Sequence, residues 1–238
     1  MAAKRPNHVW HVDLTTMPTQ IGFWCSWFPF TLPQHWPFCW WLVLVMDHYS
    51  RRVMGLAIFR QAPTFADVRT CLERAIRAAG TEPKHLVSDK GPQFFPSKGY
   101  RRWCKRRGIT PRFGAIGEHG SIAVLERAIR TLKDALRRNL IPTRRETMRR
   151  ETGLLVSWYN EHRPHSALGG KTPNEVYFQR SSANRRPRIE PRPQWPRGSP
   201  CAAPITLVAG KPGARFEIEV ERLDGHVQLP IVRLRRAA

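Results

Sequence analysis

Hydrophobic and polar positions alternate or recur in short blocks along most of the 238 residues. VWHVDLT (9–15) has the strand signature, and WWLVLVMDHYSRRVMGLAIF (40–59) reads as two strands joined by a polar turn at 47–52. In FADVRTCLERAIRAA (65–79), Phe65, Val68, Leu72, Ile76 and Ala79 share one helical face. A buried strand at 85–88 follows, then a basic helix near 97–107 and a short strand at 109–113. GAIGEHG (114–120) holds three glycines in seven residues and predicts a loop, with Ser121 placed to cap the next helix. In that helix Ile122, Leu125, Ile129, Leu132 and Leu136 recur at steps of three and four, and a further helix is expected over 146–162.

Three strands, helix, strand, helix, strand, helix predict a mixed sheet flanked by helices, an α/β layered domain. Residues 180–204 carry six prolines and six arginines against one acid, the composition of a linker. Beyond it RFEIEVE alternates, with Phe216, Ile218 and Val220 on one side, and a partner strand is expected over 228–234. The expected organisation is a core over 1–178, a basic Pro-rich linker over 179–204 and a small β unit over 205–238.

Charge narrows the partners. Forty Lys and Arg against 18 Asp and Glu give a net charge of +22. A field of that sign concentrates polyanions, so nucleic acid is the expected partner. RRWCKRRGITPR (101–112) alone carries six cations and no acid. Arg101, Arg102, Lys105 and Arg106 are therefore candidates for phosphate contact, against the plainer reading of a solvated helix face. Five cysteines without a CxxC pair argue against a disulfide framework or a zinc knuckle, and the two HxxH spacings (His8/His11, His162/His165) lack partnering cysteines. Residues 21–46 contain no Asp, Glu, Lys or Arg, but Pro29, Pro33, Pro37, Gln34 and His35 interrupt them, so an aromatic insertion is expected there and no membrane span.

Three acids occupy informative positions. Asp13 lies within the first strand, Asp89 ends the strand HLVS just before Gly91-Pro92, and Glu126 lies beside the apolar stripe of its helix. At 100° per residue Glu126, Arg130 and Lys133 share a sector about 60° wide. Asp89 could also be a turn former, Glu126 could merely pair with Arg130, and Asp47 and Glu118 are rival acids in a turn and in the glycine loop. Converging carboxylates repel one another without a cation, and hard oxygen donors suit Mg²⁺ or Mn²⁺. Two such ions about 3.5–4 Å apart can clamp both oxygens of an in-line phosphoryl transfer.

VWHVDLT, VMDHYSRRVMG, VSDKGPQF, GSIAVLERAIRTLK and WYNEHRPHSALGGKTPNEVYF (158–178) together resemble the integrase-like DDE transposases, a family shared by bacterial insertion sequences and retroviral integrases. The resemblance covers roughly residues 7–178. It implies an RNase H-like fold and a catalytic, metal-binding triad of Asp13, Asp89 and Glu126, the last two separated by 36 residues. It implies two Mg²⁺ or Mn²⁺ ions, DNA contact by Lys133, cleavage of a DNA strand by water, and attack of the freed 3′-hydroxyl on target DNA. Implied partners are transposon-end and target DNA, further copies of the chain, and a separate helix-turn-helix subunit, because only twelve residues precede Asp13. The implied setting is the bacterial cytoplasm, at the nucleoid. A non-catalytic DNA-binding relic and an RNase H-like nuclease without strand joining are the alternatives.

Overall fold

The computed structural model describes residues 3–19, 36–94, 97–114, 122–137, 141–181, 188–189, 207–208 and 216–236. Five strands form the central sheet: β1 (Val9–Pro18), β2 (Cys39–Asp47), β3 (Val53–Phe59), β4 (His85–Ser88) and β5 (Thr110–Phe113), in the order β3-β2-β1-β4-β5. β1 runs antiparallel to β2 with Asp13 opposite Leu44, and parallel to β4 with His11 opposite Val87. The expected α/β mixed sheet is present. The first strand runs three residues further than the alternation in VWHVDLT suggested, because Met17 is fully buried against the far layer.

The side-chain period of two sorts β2 between two cores. Val43 and Val45 join Trp10, Val12 and Leu86 beneath α1 (Phe65–Ala79) and α2 (Lys98–Arg106). Leu42, Leu44 and Met46 join Met17 and Ile58 beneath α3 (Ile122–Arg137) and α4 (Arg145–Glu161). α1 starts at a capping box in which the side chains of Thr64 and Asp67 each satisfy the other's backbone amide. It stops at Gly80, whose φ of 68° suits a residue without Cβ. Ser121 and the glycine loop 115–120, including Glu118, lie outside the described residues, as do positions 20–35 of the aromatic insertion.

Asp47 closes the β2–β3 turn. Its buried carboxylate accepts from the amides of Asn7 and Ser50, both at 2.8 Å, and from Ser50 Oγ at 2.6 Å. This acid is fully spent on structure. A short helix, α5 (Pro173–Tyr177), packs over the same corner, where Arg52 stacks on Tyr177 at 4.7 Å and donates Nε to Asn174 Oδ1 at 2.7 Å.

Of the Pro-rich stretch residues 179–181 and Arg188–Ile189 (β6) are described, the latter paired with Leu207–Val208 (β7). The C-terminal hairpin is β8 (Phe216–Arg222) and β9 (Pro230–Arg236). It leans on α4: Trp158 Nε1 donates to the Pro230 carbonyl at 2.8 Å, and Leu229 joins the core beneath α4. The alternating residues Ile218 and Val220 are 65% and 61% exposed, so the periodicity found the strand but that face is open.

Candidate active site

Asp13 and Asp89 share a geometry that the sheet dictates. His11 and Val87 are parallel partners. Two residues further along come Asp13, still within β1, and Asp89, just past the end of β4, so both acids lie at the same end of neighbouring strands, which run about 4.8 Å apart. Odd-numbered residues of β1 point toward α3: Thr15 and Met17 meet Ile129, Leu132 and Lys133 there. Glu126 lies on α3 one helical turn before Arg130, exposed like Asp89, while Lys133 is half-buried. The three acids and Lys133 therefore gather at one end of the sheet.

Their mutual influence is visible in protonation. The Asp13 carboxyl is pushed up to about 6, chiefly by burial and further by the charges of Asp89 and Glu126. A 2.8 Å bond from the Leu14 amide and the charge of Lys133 oppose that shift. Asp89 begins a tight turn in which its Oδ1 accepts from the Gly91 amide at 3.0 Å. A methyl group at Gly91 would stand 3.0 Å from Asp89 Oδ1 and 3.3 Å from Oδ2, so the glycine leaves the carboxylate its room.

Whether these residues suit a divalent cation turns on donor type and on convergence. Three carboxylates are the hard donors that Mg²⁺ and Mn²⁺ prefer, and the repulsion felt at Asp13 is the kind a cation would relieve. Among the described residues, however, no three His, Cys, Asp or Glu side chains are drawn together tightly enough to cage an ion. Asp89 and Glu126 are exposed, so their rotamers are not locked by packing.

The other cations fall elsewhere. Arg130 is exposed on α3 beside Glu126. Arg101, Arg102, Lys105 and Arg106 are exposed on α2, which packs on the sheet face opposite α3. The structure thus joins Lys133 and Arg130 to the acids and leaves the α2 cations in a separate layer. His11 and His48 share a 2.8 Å ring-nitrogen contact, and His165 packs on Tyr159.

Sequence reasoning missed two features. One is the role of Gly91 as spacer, which needs coordinates to see. The other is a group of arginines at positions 51, 127 and 163 that converge on one cavity, far apart in sequence and without a shared motif.

Comparison with known proteins follows the same lines. Residues 3–119 match one Integrase core domain family and residues 107–173 a second of the same description. The transposase for insertion sequence element IS904 of Lactococcus lactis subsp. lactis (strain IL1403) is 27% identical over 175 residues, 73% of this chain and 62% of that protein. The chain therefore spans about 62% of the length of that relative. The HTLV-2 integrase catalytic core domain, solved with magnesium in a dimeric form, superposes with a TM-score of 0.54 at 19% identity, over 73% of this chain and 97% of that one. The simian T-cell lymphotropic virus intasome, solved with PP2A regulatory subunit B56 gamma, superposes with a TM-score of 0.58 at 18% identity, over 100% of this chain and 70% of that one. At these identities the structures establish the fold, which is RNase H-like.

Proposed function

Because the chain belongs to the integrase core domain family, we propose that it is the catalytic part of a DNA transposase, a polynucleotidyl transferase that cuts and rejoins DNA strands through Asp13, Asp89 and Glu126. The observation that supports this reading is the placing of Asp13 and Asp89 each two residues beyond the parallel pair His11 and Val87, with Asp89, Glu126 and Lys133 all close enough to act on the Asp13 carboxyl.

Asp13, Asp89 and Glu126 would hold Mg²⁺ or Mn²⁺, as two ions. Bound there, the metal supplies Lewis-acid stabilisation of the attacking and leaving oxygens of a phosphodiester. The chain's own work is positioning. Asp13 is anchored by the sheet and by the Leu14 amide, so its orientation is fixed before DNA arrives. Asp89 and Glu126 close from the two flanks. Lys133 and Arg130 would hold a strand's phosphates beside the acids, and the α2 cations would add sequence-independent affinity on the other layer. Cleavage transfers a phosphoryl group from the leaving 3′-oxygen to water; joining transfers a target phosphoryl group to the freed 3′-hydroxyl. No side chain forms a covalent intermediate.

The expected partners are transposon-end and target DNA, further copies of this chain and a separate helix-turn-helix subunit, at the nucleoid of a bacterial cell. The dimeric form of the HTLV-2 core and the intasome assembly support the idea of several copies on DNA. Among the described residues no helix is long and apolar enough to cross a membrane. The described elements also support a core to Phe178, with the C-terminal hairpin as a smaller appended unit.

The test is strand joining. Labelled DNA bearing the repeats that flank the gene, with its 3′-hydroxyl exposed, is incubated with target plasmid and Mg²⁺ or Mn²⁺. Joined product from wild type and none from Asp89→Asn, which still binds DNA, is the expected result. Cutting without joining would indicate the nuclease, and equal activity in Asp89→Asn would remove the triad.

A further inference from the structure

A cavity of about 510 Å³ opens between the 47–52 turn, α3, the end of α4 and the segment 163–167. Arg51, Arg127 and Arg163 line it with Thr131, Tyr159 and His165, and among the described residues no Asp or Glu does. Three guanidiniums around a void without a carboxylate are unusual for a merely solvated face. Like charges gathered in a partly buried space repel unless an anion completes them.

Arg51 carries the strongest sign. Its φ of 64° is in the left-handed region, a conformation that costs a non-glycine residue about 1 kcal/mol or more. The turn holds it there through the Asp47 network, with the Arg51 amide donating to the Asp47 carbonyl at 2.9 Å. The result is a guanidinium turned inward whose Nη1 is buried and donates to no group among the described residues. A buried donor without an acceptor is costly, so the arrangement has a place for an acceptor beyond the described residues. Burial lowers the Arg51 pKa, Tyr159 and Asp47 raise it, and Arg127 lowers it again, so the two arginines feel one another.

The rim fits the same ligand. Arg163 lies 5.8 Å over the Tyr159 ring and 6.0 Å over Trp158, which holds its planar fork at the cavity edge. His165 is pushed down to about 4, by burial first and then by Arg163 and Arg51, so at neutral pH it stays uncharged. Planar guanidinium forks match the paired oxygens of a phosphate. On α3, Arg127 and Thr131 are rotated about 100–140° from Glu126 at 100° per residue, so the cavity lies on a different flank from the acids.

We propose that this cavity is a phosphodiester-binding site, in which Arg51, Arg127 and Arg163 grip the nucleic-acid backbone on the flank of α3 turned away from Asp13, Asp89 and Glu126. The site rests on the transposase reading only in taking DNA as the polyanion. Binding there requires neither metal nor acids.

The experiment compares Arg127→Gln/Arg163→Gln with Arg74→Gln/Arg77→Gln, which removes equal charge from the exposed face of α1. Affinity for a labelled duplex is measured without metal across a salt series, on protein whose thermal midpoint matches wild type. Each lost phosphate contact flattens the plot of log affinity against log salt by about 0.9. The expected result is a slope shallower by about one to two, and affinity about tenfold lower, for the cavity pair relative to the α1 pair. Equal losses in both pairs would overturn the site. If the cavity pair does not fold, the exposed single variant Arg127→Gln is compared with Arg77→Gln under the same criteria. Inorganic phosphate that raises the midpoint of wild type but not of the cavity pair would also support it. Loss of self-association with unchanged DNA affinity would overturn it in favour of a contact between copies. Failure of strand joining by wild type would remove the transposase reading and leave this binding comparison standing.

Discussion

Asp13 and Asp89 each stand two residues beyond the parallel pair His11 and Val87, so one sheet register sets the spacing of both acids. That closeness has a cost. The Asp13 carboxyl is raised from 3.8 to about 6, by burial first and then by Asp89 and Glu126. An acid whose folded pKa is raised binds its proton more tightly when folded. Its unfavourable contribution is therefore absent below about pH 4, grows between pH 4 and 6, and is complete above that. Asp13→Asn should stabilise the metal-free protein at pH 7.5, by about 1–2 kcal/mol, and make no difference near pH 4. Denaturant titrations at the two pH values check this, and a destabilised variant at pH 7.5 would contradict it. In wild type alone, Mg²⁺ at about 100 times its Kd should add about 2.7 kcal/mol.

Gly91 sits beside Asp89 with room for no methyl group, the nearest carboxylate oxygen lying 3.0 Å from where a Cβ would stand. Its φ lies outside the left-handed region, so alanine strains only the side-chain contacts, with Asp89 and with Gln93 Oε1 at 3.1 Å. Asp89 is exposed and can rotate away at little cost. Gly91→Ala should change stability by less than about 0.5 kcal/mol while lowering strand joining about tenfold or more, because a displaced carboxylate misplaces the metal. Equal joining rates in the two proteins would show that the carboxylate needs no such room.

Asp47 is the acid whose carboxyl oxygens serve the fold. It accepts three hydrogen bonds at 2.6–2.8 Å while fully buried, and burial raises its pKa against the pull of Ser50, Asn7 and Arg51. Asp47→Ala leaves the Asn7 and Ser50 amides without acceptors and should cost about 2–4 kcal/mol. Asp47→Asn keeps one acceptor and should cost less. Chemical denaturation ranks the three proteins, and an Asp47→Ala protein as stable as wild type would refute the network's role.

Most of the layered fold was legible because its signals are local. The step of three and four in the α3 stripe, the alternation in VWHVDLT and the two apolar runs split by the polar turn at 47–52 each reside within a few residues. The acids were singled out by their places in a strand, at a strand end and on a helix edge, and in the structure Asp89, Glu126 and Lys133 all act on the Asp13 carboxyl. What escaped is non-local. Asp47 could be weighed as a rival acid until its bond to the Asn7 amide, 40 residues away, was seen. The open face of Ile218 and Val220 escaped for a different reason: alternation marks a strand and its two sides, but not which side is covered.

The hairpin's hold on the core should depend on pH through His226. Nδ1 of that ring lies 2.8 Å from the Asp224 carbonyl, and Nε2 lies 2.9 Å from Glu151 Oε2. Both neighbours only accept, so both contacts are hydrogen bonds only when the two nitrogens carry protons, that is, in the imidazolium form. The His226 pKa is accordingly raised above 6.5, by the Asp224 carbonyl first and by Glu151, against an opposing effect of burial. A histidine raised in this way contributes stability that is fully present below its unfolded pKa of about 6.5 and is lost as pH climbs through the folded value. Arg150 also faces Glu151, at 3.8 Å, but is 70% exposed and holds the carboxylate weakly. Protection of the 216–236 amides against hydrogen exchange, corrected for intrinsic rates, should therefore fall between pH 6 and 8.5 in wild type. In Glu151→Gln it should be lower at pH 6 and fall less across the range, because only the Asp224 carbonyl still favours the imidazolium, while the central sheet keeps its protection in both. Identical profiles for the two proteins would show that Trp158 and Leu229 hold the hairpin without help from this pair.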